Sequence, residues 1–369
     1  MRKDETTRLL VFDSSEDFID PEFEVKLNEL RMRFEHEDPC SEGLVKVLKV
    51  HVVVNPMLKD LYKNACKQLN VRSTCAKSAH WRNEADVAPA HKIDREHVLK
   101  ALERDSRELR NVPEVREAKV FHGCSSRSVA MAISTGSFAS NLQNTTGWHG
   151  EGIYTTMSPM YALRYALHFT DFWEAPPGSI AFVVVAKAAF ASVYPVTRAD
   201  YKDDPYTCDL KGKGMKHGCD AHIVSVQRFP PHSREVRWTY HAREINQREY
   251  ATELVIPQES HLLPQYIVEV EILDNPERRR EVQEYYAQQG QQTPLEPNPQ
   301  STVDPGPAQP QVQSPSSSSS SDDDVARPET PQSVPPQPDE ELPPQQQQWQ
   351  PLPQQRNKQR NKQPQPQPQ

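Results

Sequence analysis

Cysteine and glycine are scarce in this chain. Cys40, Cys66, Cys75, Cys124, Cys208 and Cys219 are the only cysteines in 369 residues, and no two of them form Cys-x-x-Cys. Neither a disulfide framework nor a redox pair is indicated. With no signal-like N-terminus, the expectation is reduced thiols in a nuclear or cytoplasmic protein. The 12 glycines never assemble into a Gly-x-Gly-x-x-Gly dinucleotide loop, a Gly-Lys-Ser/Thr phosphate loop or a Gly-x-Ser-x-Gly elbow. His-Glu-x-x-His is missing too. The cluster Cys208, His217, Cys219 and His222 fits no standard zinc spacing, so no metal is expected. A polar turn leading into a strand accounts for it better.

Long apolar runs are also lacking. The longest, from Ser179 to Tyr194, is interrupted by Lys187 and is too short to span a bilayer. Its Phe182-Val183-Val184-Val185 reads as a buried strand, so no membrane partner is expected. Nor is there an excess of positive charge. The net charge is −8, of which −5 falls after Leu273. A body so close to neutral carries no electrostatic footprint for gripping phosphates, which argues against a nucleic-acid partner.

Proline and glutamine are abundant, but only in one place. Residues 274–369 hold 20 of the 34 prolines, 23 glutamines and 14 apolar residues, about 15% of the segment, against about 44% in residues 1–273. So little apolar surface cannot offset the entropy of ordering the chain. The composition predicts one folded body and a disordered tail rich in Pro, Gln and Ser (274–369); the acidic, weakly patterned start is read as an N-terminal extension (1–44), which leaves 45–273 as the body. In the tail, Ser316 to Ser321 run into Asp322-Asp323-Asp324. That spacing suits an acid-directed kinase, and a solvated polar spacer is the simpler reading. Pro335-Pro336-Gln337-Pro338 is PPII-prone and suits a partner with an aromatic groove.

Along the body, Leu27, Leu30, Met32 and Phe34 predict one short helix, and the β-branched run Val45–Val54 predicts a strand. Asn55-Pro56 opens a helix with proline at its first position, and Met57, Leu58, Leu61, Tyr62, Cys66 and Leu69 form its apolar face. Residues 71–92 read as a surface insertion. A second helix starts near Asp94, with Val98, Leu99, Leu102 and Leu109 as its stripe. Val120-Phe121 is a short strand, and Ser125 or Ser126 caps a helix through Val129 and Ile133. Ile153–Thr156 is a strand, and Ser158-Pro159 begins a helix carrying Ala162, Leu163, Tyr165, Ala166 and Phe169. Further strands are expected at Ile180–Val185, Ala221–Val226, Glu253–Ile256 and Ile267–Ile272. Short strands mixed with modest helices, out of strict alternation, indicate an α+β fold.

Three pieces stand in a fixed order. Phe121-His122-Gly123-Cys124 ends a strand. Gly150-Glu151-Gly152-Ile153-Tyr154 turns on glycines and delivers a tyrosine onto a strand. Glu253-Leu254-Val255-Ile256 opens a strand with an acid, and Tyr266-Ile267-Val268 follows thirteen residues on. Taken singly, these are common in turns, in packing and on solvated strand ends. Together they resemble the catalytic domain of the poly(ADP-ribose) polymerase family, ADP-ribosyltransferases with a His-Tyr-Glu triad on such elements. Asn55-Pro56-Met57-Leu58-Lys59-Asp60-Leu61-Tyr62 is similar to that family's Asn-Pro-x-Leu-x-x-x-Tyr helix start. Gly218-Cys219-Asp220-Ala221 stands where the family usually has Gly-Tyr-Asp-Ser. The resemblance covers residues 45–272.

The resemblance implies an ADP-ribosyltransferase fold of mixed, largely antiparallel sheets with flanking helices. It implies NAD⁺ as co-substrate and protein acceptors, including the chain itself. His122 would bond the adenine-side ribose, and the Gly123 backbone would hold the nicotinamide carboxamide. Tyr154 would stack under the nicotinamide, and Glu253 would be the catalytic carboxylate. The residue types suit a flat cationic ring, a carboxamide and ribose diols. The helix after Tyr154 departs from the pattern. Tyr161 falls at the family's usual serine and Arg164 at its second stacking tyrosine; a one-residue shift brings Tyr165 into the stacking role, which is the reading preferred here. Ser158 is the remaining hydroxyl for the carboxamide, or only a helix cap.

The acceptor-side loop, placed within Arg228–Gln247, does not match a polymer-forming version, and the expectation leans to mono-ADP-ribosylation. The residues before Val45 are too few for the family's autoinhibitory helical domain, so gating by DNA breaks is not expected. Two alternatives stand beside the enzyme: a module that binds NAD⁺ or ADP-ribose without turnover, and an interaction protein acting through its tail. Toxin-like relatives, or enzymes acting on nucleic-acid ends, are a further branch.

Overall fold

A computed structural model describes residues 8–13, 21–36, 41–75, 88–138, 147–169, 171–229, 239–245, 247 and 249–289. In chain order the elements are strand β1 (Arg8–Asp13), helix α1 (Pro21–Arg31), β2 (Val45–Val54), α2 (Pro56–Cys75), α3 (Pro89–Arg104), β3 (Ser106–Leu109), β4 (Val112–Cys124) and α4 (Arg127–Gly136). Then come β5 (Ile153–Thr156), α5 (Pro159–Leu167), β6 (Ile180–Phe190), β7 (Val193–Val196), β8 (Ala221–Phe229), β9 (Thr239–Ala242), β10 (Ala251–Ile256), β11 (Leu262–Ile272) and α6 (Pro276–Gln289). A π-helical turn, Met32–His36, continues α1.

The fold is α+β. The strands join in the order β1-β2-β11-β6-β4-β5-β10-β8-β7, with β3 beside β4 and β9 beside β8. Every pairing is antiparallel except that of β7 with β8. Strand β6 lies between β11 and β4 and shows why its sequence is apolar on both sides. Ala181, Val183 and Val185 join a core with Leu27, Phe34, Leu163, Ala166 and Val282, from α1, its π-helical turn, α5 and α6. The alternate residues Val184, Ala186 and Ala188 join a second core with Val98, Leu102, Ala130 and Ile133 of α3 and α4. A strand buried on both faces loses its polar alternation.

Several expectations match these elements. The β2 and β5 strands have the predicted bounds, and Ser126 caps α4 by accepting from the Val129 N–H. On α2, Leu58, Tyr62, Cys66 and Leu69 are buried, whereas Met57 and Leu61 face outward. The expected run of strand from Val120 is longer and begins at Val112. Leu109 belongs to β3, not to the helix stripe, and Phe169 lies beyond α5.

Two boundaries differ. The N-terminal segment is not a mere extension: Leu27, Leu30 and Phe34 are buried in the main core, and Glu35 Oε1 accepts from the Val47 N–H. The ordered body also continues past Leu273. In α6 Val282 is 2% exposed, and Arg279 donates to the carbonyls of Trp173, Ala175 and Leu273. Its polar sequence hides this, because among the described side chains one buried valine and two arginines, Arg279 and Arg278 (whose Nε donates to the Glu42 carbonyl), dock it. All described residues fall in one compact unit. The serine–aspartate run, the Pro335–Pro338 segment and most of the loop between Arg228 and Thr239 lie outside the described residues.

Candidate functional site

The pairing of β4, β5 and β10 brings the three sequence pieces together. On β5 and β10, Thr156 stands opposite Glu253 and Tyr154 opposite Val255. Opposed residues of an antiparallel pair share a face, as do residues two apart. Tyr154, Thr156 and Glu253 therefore point to the same side. Strands β4 and β5 pair only at Phe121 and Thr156. Just past that point, His122 Nδ1 bridges the gap to the Tyr154 carbonyl at 2.8 Å. Helix α5 then lies across the cleft and contributes Tyr161, Ala162 and Tyr165 from one face. The resulting pocket has an empty volume of about 380 Å³ and is lined by Phe121, His122, Gly123, Tyr154, Thr156, Tyr161, Ala162, Tyr165 and Glu253, with Thr155.

Glycine is required where the cleft is tightest. A Cβ on Gly123 would stand 2.2 Å from the Ala162 carbonyl oxygen and 2.7 Å from the Ala166 nitrogen. The α5 backbone thus rests directly on the strand. Gly150 has φ +113°, in the region that side chains disfavour, and turns the chain into β5.

Glu253 is buried, and protein donors surround it. His149 Nδ1 lies 2.8 Å from Oε2. The Tyr161 hydroxyl donates to Oε1 at 2.5 Å, and the Tyr165 hydroxyl donates to the same oxygen at 3.2 Å. Burial alone would raise this carboxyl. The His149 and Tyr161 hydrogen bonds and the nearby Arg164 cation outweigh it and hold the group below its usual range. Arg164 itself lies 4.7 Å from the Tyr165 ring centre, 5.1 Å from that of Tyr161 and 3.7 Å from that of Tyr240. Burial pushes the hydroxyls of Tyr154, Tyr161 and Tyr165 up, and the Glu253 charge pushes the same way, so all three stay protonated donors.

His149 extends the chain of contacts. Its Nε2 lies 3.0 Å from the Tyr201 hydroxyl, which accepts from the Ala242 N–H at 3.0 Å. Its backbone N–H donates to the Tyr154 hydroxyl, which donates to the Gly150 carbonyl. Behind it, His222 Nδ1 donates to the His149 carbonyl, and His222 Nε2 accepts from the Lys216 N–H. Burial lowers His222 to about 4, against the pull of the His149 carbonyl, so the ring stays neutral and keeps both bonds. Burial likewise depresses His122, partly offset by the Tyr154 carbonyl. With Nδ1 donating to that carbonyl, His122 Nε2 carries the lone pair.

Of the residues singled out from sequence, His122, Gly123, Tyr154, Tyr161, Tyr165 and Glu253 meet in this pocket. Ser158 does not. Its hydroxyl caps α5 by accepting from the Tyr161 N–H at 3.2 Å. The residue three before Tyr165 is Ala162, whose methyl lines the pocket without offering a hydroxyl. Tyr165 is 46% exposed and leaves its ring accessible, whereas the Tyr161 ring is 1% exposed and packs edge-on against Tyr165, Tyr240 and Tyr250. Neither His149 nor Tyr201 is singled out by the sequence. Only His149, directly before the glycine turn, stood beside a motif that could have drawn attention to it. Of the four-residue cluster, Cys208 is packed in an apolar core with Tyr201 and Leu210, and both His222 ring nitrogens are taken up by backbone groups. Among the described residues no group of three or more His, Cys, Asp or Glu side chains is placed to hold a metal ion. Nor is any described helix long and apolar enough to cross a membrane.

Scanned against protein-family models the chain has no match, and a search of curated proteins finds none.

Proposed function

We propose that this chain is an ADP-ribosyltransferase with the fold of the poly(ADP-ribose) polymerase catalytic domain. It takes ADP-ribose from NAD⁺, releases nicotinamide and modifies protein side chains, its own included, in the nucleus or cytoplasm. One observation carries the reading: His122, Gly123, Tyr154 and Glu253 come from three separate strands and line one pocket. Tyr165 joins them with an accessible ring on the facing helix.

Each side chain has work suited to its geometry. The Tyr154 and Tyr165 rings offer π-faces to a cationic nicotinamide. Gly123 lines the pocket with backbone alone, which a carboxamide would pair with, and its missing Cβ lets α5 close directly over the strand. His122, with Nδ1 fixed on the Tyr154 carbonyl, turns Nε2 to a ribose hydroxyl. Glu253 is ionised and has about four acceptor positions. Three are occupied by His149, Tyr161 and Tyr165, leaving one for a ribose 2′-hydroxyl. As the bond from the ribose C1′ to the nicotinamide nitrogen breaks, its electrons leave with neutral nicotinamide. The carboxylate then stabilises the positive charge that develops on the ribose. The acceptor nucleophile bonds to C1′ and releases its proton. Addition of a single ADP-ribose unit is the favoured outcome.

The test is direct. Wild-type protein and Glu253→Ala are incubated with labelled NAD⁺, and the products are sized on a gel. Label transferred by wild type and lost in the variant supports the reading, with a discrete band for one unit and a ladder for polymer. Wild type that releases no nicotinamide with any of a varied set of acceptors overturns it.

One observation favours a second reading. The Tyr161 hydroxyl sits 2.5 Å from Glu253 Oε1, so part of the carboxylate is engaged within the protein. A module that holds NAD⁺ without turnover fits that contact. Calorimetric binding of NAD⁺ with no nicotinamide release would select it.

A further inference from the structure

Glu253 reaches its pocket from a strand, and one carboxylate oxygen faces away from the helix that covers it. Oε2 is held by His149 Nδ1 at 2.8 Å, while Oε1 meets the hydroxyls of α5. His149 is 1% exposed, and both ring nitrogens are engaged. With one proton on the ring, the bonds run in a single direction. The Ala242 N–H donates to the Tyr201 oxygen, the Tyr201 O–H donates to His149 Nε2, and His149 Nδ1–H donates to Glu253. The backbone at His149 is fixed too, by its N–H on the Tyr154 hydroxyl and its carbonyl on His222. A histidine held at two ring nitrogens and two backbone groups is a rigid support for whatever it touches.

Resting on the transferase reading above, the geometry points to His149 as the positioning residue for the Glu253 carboxylate, with Tyr201 orienting the imidazole. His149 lines no part of the pocket; it acts through Glu253. By holding Oε2 from behind, it fixes the carboxylate rotamer, so that Oε1 keeps both α5 hydroxyls and the acceptor position left on Oε2 stays fixed for the ribose hydroxyl. Tyr165, the most exposed of the three donors, shares Oε1 with Tyr161. Misplacing a reacting group by about 1 Å costs on the order of 10²-fold in rate. The effect therefore belongs in kcat rather than in NAD⁺ affinity.

The experiment compares full-length wild type, His149→Ala, His149→Asn and Tyr201→Phe. Nicotinamide release is measured over a range of NAD⁺ concentrations, NAD⁺ affinity by calorimetry, and folding by thermal melting. A crystal structure of His149→Ala completes the set. His149→Ala is expected to lose about 10²-fold in kcat, with the NAD⁺ dissociation constant unchanged within about twofold. Its Glu253 carboxylate should be rotated away from the wild-type position. Asparagine can present an N–H close to where Nδ1 stood, so His149→Asn should recover most of the loss. Tyr201→Phe, which leaves His149 in place, should fall between. Equal losses in the alanine and asparagine variants, or a loss confined to NAD⁺ affinity, overturn the proposal. If His149→Ala does not fold, the asparagine and phenylalanine variants decide on the same criteria. If wild type releases no nicotinamide, the transferase reading fails separately. The positioning claim then stands or falls on the Glu253 rotamer in whichever His149 variant folds.

Discussion

The Tyr161 hydroxyl donates to Glu253 Oε1 across 2.5 Å, linking the first turn of a helix to a strand 92 residues further on. The tyrosine is 1% exposed and the carboxylate 5%. A buried carboxylate survives as an anion only with such partners.

Tyr161→Phe keeps the ring in its aromatic cluster and removes the donor. A hydrogen bond to a charged group contributes about 1.5–3 kcal/mol, so the variant should be about 2 kcal/mol less stable at pH 7 in urea titrations. Glu253 is depressed in the folded state, so this stabilisation is complete above its unfolded value near 4.5 and is lost as pH falls through the folded value. The gap between wild type and variant should therefore be fully present at neutral pH and shrink as the pH is lowered below about 4.5. A gap that stays constant down to acid unfolding would contradict the assignment.

Glu253→Gln preserves shape and removes charge. Nicotinamide release should fall by about 10²- to 10³-fold, the scale on which transition-state charge stabilisation acts. NAD⁺ should still bind, because the rings and the His122–Gly123 edge are untouched. Retained turnover in this variant would remove Glu253 from the chemistry.

Gly123→Ala drives a methyl into the α5 backbone at 2.2 Å from the Ala162 oxygen. Backbone yields less readily than a side chain, so the cost should reach or exceed about 3 kcal/mol, the upper range for overpacking. Chemical denaturation measures the cost, and calorimetry should show weakened NAD⁺ binding as the helix lifts. A neutral substitution would mean that α5 stands further from β4.

A chain ending at residue 289 should be more stable than one ending at Leu273. Burying a valine contributes about 1.5–3 kcal/mol, and the Arg279 bonds to three carbonyls add to it. Equal urea midpoints for the two chains would show that α6 docks weakly.

His261 is 1% exposed, and neither ring nitrogen has a hydrogen-bond partner among the described residues. Burial, with Arg72 nearby, lowers it to about 4 from 6.5. A depressed histidine contributes stability above its unfolded value and loses it as pH falls from about 6.5 to about 4. The slope is about 1.4 kcal/mol per pH unit per proton. His261→Leu should flatten the decline measured between pH 7 and 4, with little loss at pH 7. An unaltered slope would place the proton uptake elsewhere, His222 and His122 being further rings that burial lowers.

What could be read in advance follows from how local each signal is. The β-branched run of β2, the Ser126 and Ser158 caps and the glycine turn before β5 state their conformation in neighbouring residues. Strands β3 and β7 do not. The first is Ser-Arg-Glu-Leu and gains its geometry by pairing with β4. The second contains Pro195, which is tolerated because β7 ends the sheet order and pairs with β8 alone. The site divides in the same way. Its strand residues carry family-like spacing, but the His149 contact with Glu253 spans 104 positions and exists only once the sheet is assembled. Ser158 was ambiguous in sequence because one hydroxyl serves a helix end or a ligand equally well, and the turn geometry decides for the helix end.

The donor shell around Glu253 has a consequence for competing chemistry. Three protein groups solvate the carboxylate, and two of them, His149 and Tyr161, are almost fully buried. On the transferase reading, an oxocarbenium-like ribose formed there would meet a pre-built wall of fixed dipoles rather than a carboxylate carrying its own retinue of activated water. Such a wall disfavours wasteful hydrolysis of the donor. The partition between ADP-ribose freed into solution and ADP-ribose retained on protein becomes a property of this shell.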